Sequence, residues 1–158
     1  MKKLFSAVLF LVACSNVAAQ GLKYEFGLGY GWAYGGLIGG QFAFVNDYHR
    51  IRTSLGAFGH SVGYDYKPFK NVSVGLSYGS FVYFSAYEDY RGIRLSYLPT
   101  GDFRKGVEIA IEAGTADYST VWDDVVGAFF GIDEDDEDFQ SLDEKNKPVV
   151  NLSIGYSF

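Results

Sequence analysis

From Leu22 to Trp32, large apolar residues fall on every second position: Leu22, Tyr24, Phe26, Leu28, Tyr30 and Trp32, with Lys23, Glu25, Gly27, Gly29 and Gly31 between them. A repeat of two places alternate side chains on opposite faces of a strand. The same alternation returns in Val72, Val74, Leu76 and Tyr78, in Ile93, Leu95 and Tyr97, and in Val107, Ile109 and Ile111. It is cleanest in Val150, Leu152, Ile154, Tyr156 and Phe158, set against Asn151, Ser153, Gly155 and Ser157. Weaker strands are expected at about 37–45, where Phe42 and Phe44 share a face, and at 49–58, where Ile51, Thr53 and Leu55 alternate with Arg50, Arg52 and Ser54. Residues 60–67 read either as a strand, with Val62, Tyr64 and Tyr66 on one face, or as a long loop. Single-chain bacterial membrane barrels have even strand numbers, and this parity favours the strand. The expected fold is all-β: a closed, antiparallel, up-and-down transmembrane barrel of about eight strands.

Short connections are expected at Asn46-Asp47-Tyr48, Lys67 to Asn71 and Pro99 to Arg104, all at one end. The opposite end is expected to carry segments near 33–36, 59–60 and 85–90, and one long loop over about 119–146.

Alternation does not say which face is inside, because a soluble ligand carrier of lipocalin type would bury the apolar face. Side-chain size favours the reverse. An eight-stranded barrel has an interior just wide enough to be filled by side chains, and the polar face here is mostly Gly, Ser, Ala and Asn. The apolar face carries Tyr24, Trp32, Tyr97, Tyr156 and Phe158 near strand ends, as interfacial aromatic girdles would require.

The chain start adds a destination. Lys2 and Lys3 precede the apolar run Leu4 to Ala13, and Val17-Ala18-Ala19 supplies small residues before Gln20. This is a secretory signal peptide, expected over 1–19, with the barrel domain over 20–158. The apolar run falls short of the roughly 20 residues a membrane-spanning helix needs. Leu11-Val12-Ala13-Cys14 also has the form of a lipobox, an alternative processing site. Cys14 is the only cysteine, so no intramolecular disulfide can form. Aromatic residues make up 18% of the 158 residues, with 20 glycines against 3 prolines, a profile suited to strands. The net charge of −6 argues against a nucleic-acid partner.

Several residues carry candidate chemistry. Lys23, Glu25, Arg50, Arg52, Arg94, Glu108 and Glu112 project to the polar face and are expected to form a lumen charge network. Isolated buried charges are very costly, so pairing across a plugged interior is favoured over a narrow ion path. The long loop contains Asp133, Glu134, Asp135, Asp136, Glu137 and Asp138, without the ordered spacing and central glycine of an EF-hand. A solvated acidic outer loop is expected, with no metal and no cofactor. Val121, Trp122, Val125, Val126, Phe129 and Phe130 have helical spacing within it. His60, Ser61 and Asp65 are the residues to examine as a hydrolytic set, but adjacent strand residues point to opposite faces, which separates His60 from Ser61. Gly27, Gly29 and Gly31 lack the spacing of a dinucleotide fingerprint and read as lumen-facing or turn glycines.

With the alternation, the leader and the run Asn151-Leu152-Ser153-Ile154-Gly155-Tyr156-Ser157-Phe158 in view, the chain resembles the small outer-membrane barrels of OmpX-like and OmpA-like type over nearly all of its mature length. The resemblance implies that Leu152, Ile154, Tyr156 and Phe158 form the strand read by the barrel-assembly machinery, with Phe158 the key residue. It identifies an architecture rather than an activity. The functional expectation is a monomeric, non-enzymatic outer-membrane protein in contact with lipid. It would have a structural or surface-interaction role, possessing an outer loop available to an extracellular partner. Alternatives are a narrow channel, a lipid-modifying enzyme and a soluble carrier.

Overall fold

A computed structural model describes residues 23–82, 86–119 and 144–158. The segment 1–19 expected as a signal peptide, the acidic run Asp133–Asp138 and the helical spacing over 121–130 lie outside the described residues. Eight antiparallel strands run in chain order around a closed barrel: β1 Lys23–Gly31, β2 Gly36–Val45, β3 His49–Gly56, β4 Gly59–Phe69, β5 Val72–Val82, β6 Ala86–Tyr97, β7 Gly106–Ser119 and β8 Glu144–Ser157. Residues 60–67 are therefore a strand. β4 pairs with β3 from His49↔Tyr66 to Gly56↔Gly59, and with β5 along most of its length.

One end of the barrel carries the short connections 46–48, 70–71 and 98–105, and may be called the turn end. β4 continues through Pro68 to Phe69, two residues beyond the expected start of the turn, across a register shift between Tyr66 and Phe69. A proline has no N–H to give a ladder and is tolerated where pairing is already interrupted. At the opposite end β6 starts at Ala86, β7 reaches Ser119 and β8 begins at Glu144, all within segments expected to be loop. Polar side chains extend this hairpin. The Asn146 N–H donates to Asp117 Oδ1 at 2.9 Å, and Lys147 Nζ lies 4.0 Å from the Tyr118 ring centre.

The two faces of the wall are inverted relative to a water-soluble core. Leu55, Ile38 and Val150 point outward with more than 70% of their surface exposed, while Arg50, Arg52 and Arg94 are at most 1% exposed. Tyr24, Tyr97, Tyr156 and Phe158 are outward and exposed as expected. Trp32 is a correction, being 5% exposed in the interior. The alternation stops at Gly31, whose φ of 100° turns the chain into the lumen, so strand parity no longer governs the next residue.

Trp32–Tyr34 form a 3-10 turn that plugs the barrel, and all three residues are buried. The segment expected near 33–36 as an outer connection thus folds inward. Trp32 stacks on Phe81 with ring centres 4.8 Å apart and meets Tyr90 edge-on at 4.9 Å. Tyr34 lies across β1 and β8, where Gly29 and Gly155 leave room for its ring; a Cβ at Gly29 would stand 2.6 Å from it. At the turn end, Leu98 and Phe103 pack against Ala43 and Val45 to form a second apolar cluster.

Candidate functional site

Between these two apolar ends lies the charged interior. Inward positions of β1, β3, β4, β6 and β7 bring together Glu25, Arg50, Arg52, Asp65, Arg94, Glu108 and Glu112, each at most 1% exposed. Arg50 is the hub. It grips Glu108 with two hydrogen bonds of 2.9 and 2.6 Å, donates to Asp65 Oδ2 from Nε at 2.9 Å, and reaches Glu25 Oε1 at 3.3 Å. A planar guanidinium can hold three carboxylates in fixed directions, which the single ammonium of a lysine does less well.

Arg52 extends the network toward the plug. Its Nε donates to Asp65 Oδ2 at 3.3 Å, and its Nη2 donates to Ser77 Oγ at 2.5 Å and Glu112 Oε1 at 3.3 Å. Gly63 makes room for it, since a Cβ there would lie 2.7 Å from the guanidinium. Nη1 and the hydroxyls of Ser54 and Ser61 donate to the Ala33 carbonyl at 3.4, 2.6 and 3.4 Å, so the polar wall satisfies the inserted backbone. From β8, Asn151 Oδ1 and Ser153 Oγ accept the Trp32 and Ala33 N–H groups. Arg94 completes the set with an ion pair to Glu108 Oε1 at 2.9 Å.

Of the residues expected in the lumen network, six meet there and Lys23 does not. It shares their face but stands at the open start of β1, opposite Val45, where its ammonium is exposed. Asp65 is the member that the sequence-based list omitted. It sits on the Ser61 and Gly63 face of β4, so the parity of that strand is the signal that would have found it.

His60, Ser61 and Asp65 are not brought together: Ser61 and Asp65 are buried in the lumen, and His60 is exposed. His60 instead lines a cleft of about 350 Å³ with Phe58, Ser80, Val82 and Glu88. His49 lies apart, with Nδ1 2.7 Å from the Tyr64 hydroxyl. Among the described residues no group of three or more His, Cys, Asp or Glu is placed to hold a metal ion. Leu152, Ile154, Tyr156 and Phe158 form an exposed apolar row along β8 and the residue after it, and the Phe158 N–H closes onto the Phe26 carbonyl at 2.9 Å.

In the connection between β6 and β7, Arg104 donates to Asp102 at 3.0 and 2.7 Å, and these hydrogen bonds hold the Asp102 carboxyl below its ordinary range. Nearby, Lys67 Nζ donates to the Gly101 carbonyl at 2.5 Å, anchoring the connection to β4.

Fold and interior together define a closed eight-stranded up-and-down barrel with an ionic core, capped by an apolar cluster at each end. No family model, curated protein or solved structure matches the chain.

Proposed function

We propose that the protein is a monomeric integral outer-membrane β-barrel with a structural or surface-interaction role, non-enzymatic, whose lumen is closed to ion flow. The observation that carries this reading is the inversion of the wall, with a continuous apolar outer face around buried, mutually paired charges. In water that outer face would be an apolar patch far larger than soluble monomers expose. In a bilayer it is the favourable surface, and closure leaves no strand edge for lipid to satisfy. The leader over 1–19 provides the route out of the cytoplasm, and the apolar row ending at Phe158 suits the barrel-assembly machinery.

The same interior disfavours the alternatives. A carrier of apolar ligands needs an apolar cavity, whereas arginines and carboxylates fill this lumen. A pore needs a continuous aqueous path, whereas Trp32, Phe81 and Tyr90 occupy one end and Leu98 and Phe103 the other.

The test is fractionation combined with gel mobility in detergent. Protein from the outer-membrane fraction should run as a compact band that shifts on boiling, and planar bilayers containing it should show no unitary conductance. Soluble periplasmic protein without a shift would overturn the membrane assignment, and discrete conductance steps would overturn the closed lumen.

A further inference from the structure

Glu25 sits where five elements meet. Gln41 of β2, Arg50 of β3 and Ser157 of β8 touch it directly, while Glu108 of β7 and Tyr34 of the plug act on it electrostatically. All three direct contacts converge on one oxygen. Gln41 Nε2, Ser157 Oγ and Arg50 Nη1 donate to Oε1 at 2.9, 2.7 and 3.3 Å. The other oxygen, Oε2, is buried without a hydrogen-bond partner among the described residues, and so is Oε1 of the same Gln41 amide.

These two orphans belong to one side-chain pair. An ionised carboxylate and an amide oxygen are both acceptors only, so as they stand neither can satisfy the other. One proton on Glu25 Oε2 resolves both. The acid then donates to Gln41 Oε1 while Gln41 Nε2 donates to Glu25 Oε1, a two-point ring of acid and amide. Exchanging the amide N and O leaves the requirement unchanged, because the amide has one donor group and one acceptor facing two carboxyl oxygens.

The charge count asks for the same proton. Four buried carboxylates, Glu25, Asp65, Glu108 and Glu112, face three buried guanidiniums, Arg50, Arg52 and Arg94. An uncompensated buried charge is neutralised far more cheaply than it is accommodated. Asp65 and Glu108 are held by at least two arginines each. Glu112 also has an orphan oxygen, but its surroundings include an orphan donor, the buried Tyr90 hydroxyl, with which it interacts electrostatically. Glu25 differs in that its hydrogen-bonded partner Gln41 contributes an orphan acceptor rather than a donor.

We infer that the lumen binds one structural proton, carried by Glu25 and shared with Gln41, which leaves the ionic core neutral and ties β1 to β2. Through Ser157 the same side chain reaches β8 at the closing seam, where β1 and β8 are in register only from Gly27↔Ser157 to Tyr30↔Ile154. Loss of the proton sets a fourth carboxylate against three guanidiniums, beside the shortest strand pairing of the barrel. The folded state then holds a proton that the unfolded chain releases above the ordinary carboxyl range, so stability falls as the pH rises through deprotonation of Glu25. Whether the outer face meets lipid or water does not alter these interior contacts.

Infrared spectroscopy of the refolded barrel in detergent at neutral pH tests the assignment. The folded protein should show the carbonyl band of a protonated carboxylic acid, sensitive to deuterium exchange and absent after unfolding at the same pH. Glu25→Gln, whose amide reproduces the neutral ring, should fold, lose the band and remove the alkaline loss of stability. Glu112→Gln should retain the band. A folded barrel without the band, a band that survives Glu25→Gln, or failure of Glu25→Gln to fold would each overturn the proposal.

Discussion

The two ends of the lumen are sealed by similar residues held in different ways. At the turn end, Leu98 and Phe103 come from a single connection, whose Gly101 N–H donates to Leu98 O within it and whose Leu98 N–H donates to Asn71 O of the neighbouring connection. At the opposite end, Trp32, Phe81, Tyr90 and Ala116 come from the plug, β5, β6 and β7, and meet only because the barrel closes. The first seal has a backbone hydrogen bond within its own connection, independent of the side chains it carries. The second depends on tertiary contacts throughout, and the Arg50 and Arg52 network between the two connects with both, over Phe103 at 4.5 Å and to Ala33 O at 3.4 Å.

This contrast can be broken most forcefully at its shared centre. Arg50→Ala leaves Glu25, Asp65 and Glu108 buried with their common partner gone, and removing one member of a buried ion pair costs about 3–5 kcal/mol. With two carboxylates and the Glu25 acid affected, the variant is expected to give no heat-shifted band in the gel assay. Recovery of a wild-type band would show that the network contributes little to closure.

Removing the aromatic seals compares the ends directly. Trp→Ala and Phe→Ala substitutions in cores cost about 3–5 kcal/mol. Trp32→Ala should fall at the upper limit, because it frees the plug as well as the ring contacts, and Phe103→Ala at the lower, because its turn persists. Urea unfolding of both variants in the same micelles measures the difference, and equal losses would dissolve the distinction. A smaller effect is expected from Gly155→Ala, whose methyl group would collide with the Tyr34 ring. Overpacking of this kind costs about 1–3 kcal/mol, and a wild-type unfolding midpoint would show that the plug moves freely.

The smallest effect belongs to the surface of the turn end. Arg104 holds the Asp102 carboxyl below its ordinary value of 3.8, so its contribution to stability is present above that value and lost as the pH falls through the folded one. Both side chains are more than a third exposed, which keeps the contribution small. Asp102→Asn should slightly flatten the acid side of the stability profile and leave neutral pH unchanged. A change at neutral pH instead would mean that the connection needs the charge for folding.

How much was legible beforehand varies with location for the same physical reason. Strands such as Val72–Tyr78 and Val150–Phe158 announce themselves because period two is a local property, and β4 followed from the parity of closure. Glu25, Arg50, Arg52, Arg94, Glu108 and Glu112 could be placed on the inner face by alternation alone, and Asp65 could have been added once β4 was accepted. Trp32 could not, because one left-handed glycine ended the alternation that seemed to include it. Lys23 obeys the alternation but lies at the rim, and distance from a barrel end is set by strand stagger rather than by neighbouring residues.

By itself, the sequence determined the alternating strands, which side chains within a strand share a face, and the mixture of charges the polar face would hold. Only the tertiary structure decided that Arg50 binds Glu108 with both amino groups, that Trp32–Tyr34 turn inward as a plug, and that Glu25 and Gln41, joined by one hydrogen bond, each keep a buried oxygen without a partner among the described residues. The physical reason is range: alternation follows from backbone geometry two residues at a time, whereas pairing inside a barrel depends on which strands closure brings opposite one another.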